Sequence, residues 1–104
     1  MILRGNILIY NEKLRKQICV DDIVKIESCL GNYCMVHLAT KRIMISYCVK
    51  RFIELLDNRL FLRISKACVV QRKLVSLIDD GRVYVKDKHI ATFSRRYLKA
   101  YREQ

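Results

Sequence analysis

Proline and tryptophan are absent from this chain, and glycine occurs only at positions 5, 31 and 81. With no Pro and so little Gly, the sequence shows no linker of the usual disordered composition. Its 104 residues, 52% of them hydrophobic, suit one domain over 1–104 with one modest core; two domains would each be too small. Three scattered glycines also leave no Gly-rich phosphate loop. Histidine is nearly as scarce. His37 and His89 lie outside any nucleophile or metal motif, and the acidic pairs Asp21-Asp22 and Asp79-Asp80 fall where turns are expected. Asp is common there because its side chain bonds nearby backbone N–H groups. We therefore expect neither an enzyme nor a cofactor. No apolar run approaches the roughly 20 residues that cross a bilayer, so a cytoplasmic protein with no membrane partner is expected.

Acidic residues are outnumbered by basic ones, 10 against 21, for a net charge of +11. The excess is uneven. Residues 1–58 carry nine Lys/Arg and six Asp/Glu, whereas residues 59–104 carry twelve and four. A charge excess concentrated in one half is the electrostatic footprint of a nucleic-acid binder. An acidic protein or membrane surface is the next partner class, and a basic but unpartnered surface the bland one.

The five cysteines, at 19, 29, 34, 48 and 68, are odd in number and include no C-x-x-C. Most sit in apolar runs such as Ile18-Cys19-Val20, as small buried thiols do in a reducing compartment. Cys29, Cys34 and His37 match no common zinc framework, so no metal is expected.

Short alternating segments dominate. Strands are expected over Ile7–Tyr10, Gln17–Val20 and Ile23–Ser28, with a polar turn at Asn11–Lys13. Tyr33–Ala39 alternates with Cys34, Val36 and Leu38 on one side and Tyr33, Met35 and His37 on the other, and Ile43–Ser46 returns as a hairpin. Val49, Phe52, Ile53 and Leu56 then follow at helical spacing after Ser46, a candidate N-cap, predicting a helix over 47–57. Extended pieces are expected at Phe61–Ile64, Cys68–Val70, Leu74–Ile78, Val83–Lys86 and Ile90–Phe93. Ser94 could cap a short C-terminal helix, Arg95–Arg102, with Leu98 and Tyr101 inward. The pattern predicts a mainly-β fold of short antiparallel strands without βαβ alternation.

The segments Phe61–Arg72 and Phe93–Tyr97 set Arg63, Lys66, Arg72, Lys73, Arg95 and Arg96 among short apolar runs. Buried strands have no use for such cations, whereas phosphate neutralisation does, and Arg is the commonest reader of guanine. Loops on a rigid β scaffold can do both.

In order and at suitable spacing, Asp22-Ile23, Ile26-Glu27, Asn32-Tyr33, the helix Val49–Leu56, Phe61-Leu62-Arg63 and Ser94-Arg95-Arg96-Tyr97 resemble the LytTR domain, the DNA-binding effector of many bacterial response regulators. The resemblance covers about residues 15–102. It implies an elongated arrangement of short antiparallel sheets whose loops enter successive major grooves at repeated half-sites of duplex DNA. It implies that Tyr33, Lys66 and Arg95 read bases, with Asn32, Arg63, Arg72, Lys73 and Arg96 as phosphate or scaffold residues. Promoter repeats would be the partner, with a homodimer on DNA or an upstream receiver domain; no receiver resemblance lies in this chain. The sequence departs from the family pattern at Ser65 in place of His, Ala67 in place of Ser and Gln71 in place of Asn. Phosphate binding should survive these changes, while the recognised sequence should differ.

The competing expectation is a basic β module that binds single-stranded RNA or an acidic protein. Tyr33, Tyr84 and Phe93 would then serve as stacking platforms.

Overall fold

Period-two alternation gives most of this chain one wet and one dry face, and the computed structural model, which describes residues 2–11 and 13–104, resolves that pattern into eleven strands and two helices among the described residues. Strands β1 (Ile2–Arg4), β2 (Ile7–Asn11) and β3 (Lys16–Cys19) form a first sheet in that order. Strands β4 (Ile23–Ser28), β5 (Cys34–Leu38), β6 (Arg42–Ile45), β7 (Phe61–Ser65) and β8 (Cys68–Gln71) form a central sheet in the order β6-β5-β4-β8-β7. Strands β9 (Leu77–Asp79), β10 (Arg82–Val85) and β11 (Lys88–Thr92) form a third. Every strand pairing is antiparallel. Helix α1 (Val49–Leu55) links β6 to β7, and α2 (Arg95–Arg102) follows β11. The body measures 43 × 26 × 25 Å, the elongated shape expected.

The central sheet is dry on both faces only where its sequence is. Along β7 and β8, Phe61 and Val69 join one buried cluster while Leu62, Ile64 and Val70 join another. Successive side chains leave a strand on opposite faces, so the near-continuous apolar runs 61–64 and 68–70 serve two cores. The first cluster brings together Leu8 and Ile18 of the first sheet, Ile26 and Val36 of the central sheet, and Val49, Phe52 and Leu56 at α1. The second gathers Val83 and Phe93 with half-buried Ile78, Ile90, Tyr97, Leu98 and Tyr101. A register shift between Ile23 and Lys25 lets Ile23 and Ile26, three residues apart, both reach the first core. The turn at Asp80-Gly81 lies so close to α2 that a Cβ on Gly81, at φ +78°, would meet Leu98 at 3.2 Å.

Several expectations need correction. β1 was not expected; three residues carry too little pattern to be recognised. The helix expected over 47–57 runs from Val49 to Leu55, and its N-cap is Cys48, without a side-chain cap bond, rather than Ser46. Tyr47 is instead packed edge-on against Phe52, with ring centroids 5.4 Å apart. The strand expected over 74–78 starts later, at Leu77, because Arg72–Leu74 winds into a 3-10 turn. Glu12, within the turn expected at 11–13, lies outside the described residues. α2 has the expected bounds, with Leu98 and Tyr101 in the second core.

Candidate nucleic-acid interface

Three connections gather along one edge of the body, two from the central sheet and one from the third sheet. The first, Cys29–Tyr33, joins β4 to β5. The second, Lys66-Ala67, joins β7 to β8. The third, Phe93-Ser94, leads from β11 into α2. β4 pairs with β8, with Glu27 opposite Cys68, so the first two connections must start side by side. Backbone bonds fasten the set: the Ser28 N–H donates to the Ala67 carbonyl (2.9 Å), and the Ser94 N–H donates to the Ile64 carbonyl (3.0 Å). Ser94 stands at the N-cap of α2, as expected, but its hydroxyl makes no cap bond, and its backbone N–H goes to β7.

Arg63 braces the middle of this edge. Its Nε donates to the Ser65 carbonyl (3.2 Å) and its Nη2 to the Lys66 carbonyl (2.9 Å). Its guanidinium lies 5.2 Å from the Tyr97 ring centroid, and that of Arg96 lies 5.9 Å from the same ring. The Ser65 hydroxyl accepts from the Ala67 N–H (3.2 Å), which closes the turn. Lys66, Arg95, Arg96 and Asn32 are exposed, and Tyr33 is 46% exposed. Among the described residues the ion pairs are Lys25–Glu27, His37–Glu27, Arg59–Asp57 and Lys73–Asp21. None involves a cation of the three connections, so this edge carries uncompensated positive charge.

The other two sequence-derived cations sit elsewhere. Arg72 follows β8 at the open end of the β7–β8 hairpin, where its N–H donates to Leu60. Its side chain lines a groove of about 330 Å³ that also touches Arg63, Tyr97 and Tyr101. Lys73 is held by Asp21 at 2.6 Å, and that contact lowers the Asp21 carboxyl below its usual range, through the hydrogen bond first and the charge second. The structure therefore brings Tyr33, Asn32, Arg63, Lys66, Arg95 and Arg96 to one edge but neither Arg72 nor Lys73. Gln71 is not at the edge at all. It is 1% exposed, and its Nε2 donates to the Val20 (2.9 Å) and Ile23 (3.3 Å) carbonyls. Its departure from the family pattern acts on the core, a correction to its grouping with Ser65 and Ala67.

Sequence reading passed over Lys99 and Arg102. Both are exposed on α2, at i+4 and i+7 from Arg95, and extend the basic edge along the helix. Helical spacing was the available signal. The aromatic set of the competing reading does not survive as a surface: Phe93 is buried against Tyr101 (5.2 Å) and Tyr84 is half-buried beside His89 (5.7 Å). The histidines have structural partners, His37 with Glu27 (2.6 Å) and His89 with Thr92 (2.8 Å). All five cysteines are free, and no group of three metal-ligating side chains occurs among the described residues. No helix is long and apolar enough to cross a membrane.

An edge of fastened, basic loops on short antiparallel sheets defines an elongated class of mainly-β domain. The family model of the LytTr DNA-binding domain matches residues 14–104, and the chain belongs to that family. Among solved structures it is similar to a LytTr DNA-binding domain from Bacillus cereus, described as part of a methyl-accepting/DNA response regulator. That match has 12% identity and a TM-score of 0.77, and covers 96% of each chain. At that identity the likeness concerns the fold. No curated protein sequence matches the chain.

Proposed function

We propose that this domain is the duplex-DNA-binding effector of a bacterial transcriptional regulator, and that it docks through the edge of the three connections. Tyr33, Lys66 and Arg95 read base edges. Asn32 and Arg96 contact phosphates, joined by Lys99 and Arg102 along α2, and Arg63 holds the central turn. The observation that carries this reading is the uncompensated charge on loops fastened by the Ser28–Ala67 and Ser94–Ile64 bonds. A loop tied down before binding costs less to order on DNA.

Pairing with a receiver domain fits the same reading. Two linked copies on promoter repeats turn two modest half-site affinities into one strong one through effective concentration. The competing module for single-stranded RNA keeps only Tyr33 of its three platforms, and stacking of successive bases needs more than one.

The test is titration against duplex DNA over a salt series, after selection of bound duplexes from a random library. The three phosphate-contacting cations Arg96, Lys99 and Arg102 give a slope of log K on log salt of about −3. A flat slope, an unenriched library, or single-stranded RNA outcompeting the duplex would overturn the proposal.

A further inference from the structure

Leu30 is the most exposed large hydrophobic residue among the described residues, at 85%. A lone exposed leucine is ordinary on a protein surface. This one is displayed by a rigid turn. The Tyr33 N–H donates to the Leu30 carbonyl (3.3 Å), and the Cys29 N–H donates to the Tyr33 carbonyl (3.0 Å), so Leu30-Gly31-Asn32-Tyr33 is closed twice. Gly31, at φ +63° and with open space around its α-carbon, permits the tight reversal. The residue just before the loop is anchored to the central turn through Ser28 and Ala67. The turn therefore holds an aliphatic side chain and a phenol, the latter 46% exposed, out in solvent beside Lys66.

An aliphatic group on a surface built for phosphates has one apolar target in the major groove, the 5-methyl group of thymine. We infer that Leu30 is a specificity-determining residue that packs against a thymine methyl, which makes the first loop an apolar reader beside the polar readers Lys66 and Arg95. The inference rests on the duplex-DNA reading above and adds a base class to it. Cytosine lacks the methyl group, and the purines present hydrogen-bonding atoms there, so Leu30 would favour thymine at one position of each half-site. The contact is made only in the complex, which is why the side chain has no packing partner in the free domain.

The probe is the selected duplex, with deoxyuridine replacing thymine one position at a time, which deletes the methyl and nothing else. Wild type should lose about fourfold in affinity at one position, the value of one buried methyl-sized group. Leu30→Ala should bind the thymine and deoxyuridine duplexes equally, and Leu30→Met should retain part of the preference. Unchanged thermal melting of both variants would show the fold intact, as an exposed side chain predicts. The inference is overturned by a wild type indifferent to every such replacement, by a preference that persists in Leu30→Ala, or by a selected site without thymine. In each of those cases duplex binding itself stands. A library with no enriched duplex would overturn both readings together.

Discussion

The Nη2 of Arg63 donates to the carbonyl of Lys66 at 2.9 Å. Lys66, the residue proposed to meet DNA, is thus held from behind by a cation that also lies over Tyr97. This makes Arg63 a scaffold residue first, since its donors point at the turn rather than into solvent.

Arg63→Lys tests that assignment. Lysine keeps the charge but loses the planar fork that spans the Ser65 and Lys66 carbonyls and the stacking face. Loss of a cation–π contact and of turn hydrogen bonds should cost about 1–2 kcal/mol of stability, measured by urea unfolding. The salt slope of DNA binding should stay at its wild-type value while affinity drops several-fold. A slope lowered by about one contact would instead make Arg63 a phosphate ligand.

Gln71 is expected to act only on stability. Its Nε2 is shared between the Val20 and Ile23 carbonyls, which come from the 3-10 turn Val20–Asp22 and the start of β4. Gln71→Leu keeps the volume and removes the donor, leaving buried carbonyls short of a partner, for a loss of about 2–3 kcal/mol in urea unfolding. The folded fraction should bind DNA as wild type does. A change in base preference would return Gln71 to the interface.

Gln71 marks where the sequence stops being legible. Strand alternation is a local signal, and it placed Cys34 and Val36 inward and Met35 and His37 on the other face of β5, as observed. The bounds of α2 were legible for the same reason, since Leu98 and Tyr101 fall three apart in a basic stretch. Burial of Gln71 depends on partners 48 and 51 residues away, and the pairing of Lys73 depends on Asp21, 52 residues away. Neither leaves a mark on its own neighbourhood. The loops were legible as loops; what aligns them is the pairing of β4 with β8, a long-range register that composition does not encode.

Buried Cys34 and half-buried Cys68 give the stability a direction at alkaline pH. Burial pushes Cys34 up to about 12, with Cys48 and Cys29 adding to it, and burial pushes Cys68 up to about 11, opposed by Lys25. An unfolded thiol ionises near its ordinary value of 9.0. Between there and the folded values the unfolded chain holds fewer protons than the native one, so stability falls as pH rises. Urea midpoints should be level on this account up to about pH 8 and then decline, with Cys34→Ser or Cys68→Ser flattening part of the decline. In native protein both thiols should resist iodoacetamide at pH 8, and unfolding in urea should release them. Rapid native labelling would contradict the burial.

On the proposed function, Arg95 reads a base and the pair Lys99 and Arg102 holds phosphate. All three lie exposed on one face of α2, but Arg95 is at the helix start beside the connection fastened to Ile64, while Lys99 and Arg102 lie further along. A base reader must enter a groove and a phosphate ligand need only track the backbone. Arg95→Ala should relax preference at one base position in a library selection, by about 1–3 kcal/mol of discrimination. Lys99→Gln with Arg102→Gln should leave the selected sequence unchanged and make the salt slope shallower by about 2, weakening all duplexes alike. If the double variant altered the sequence and Arg95→Ala altered only the slope, the roles along α2 would be reversed, and the helix rather than the loop before it would enter the groove.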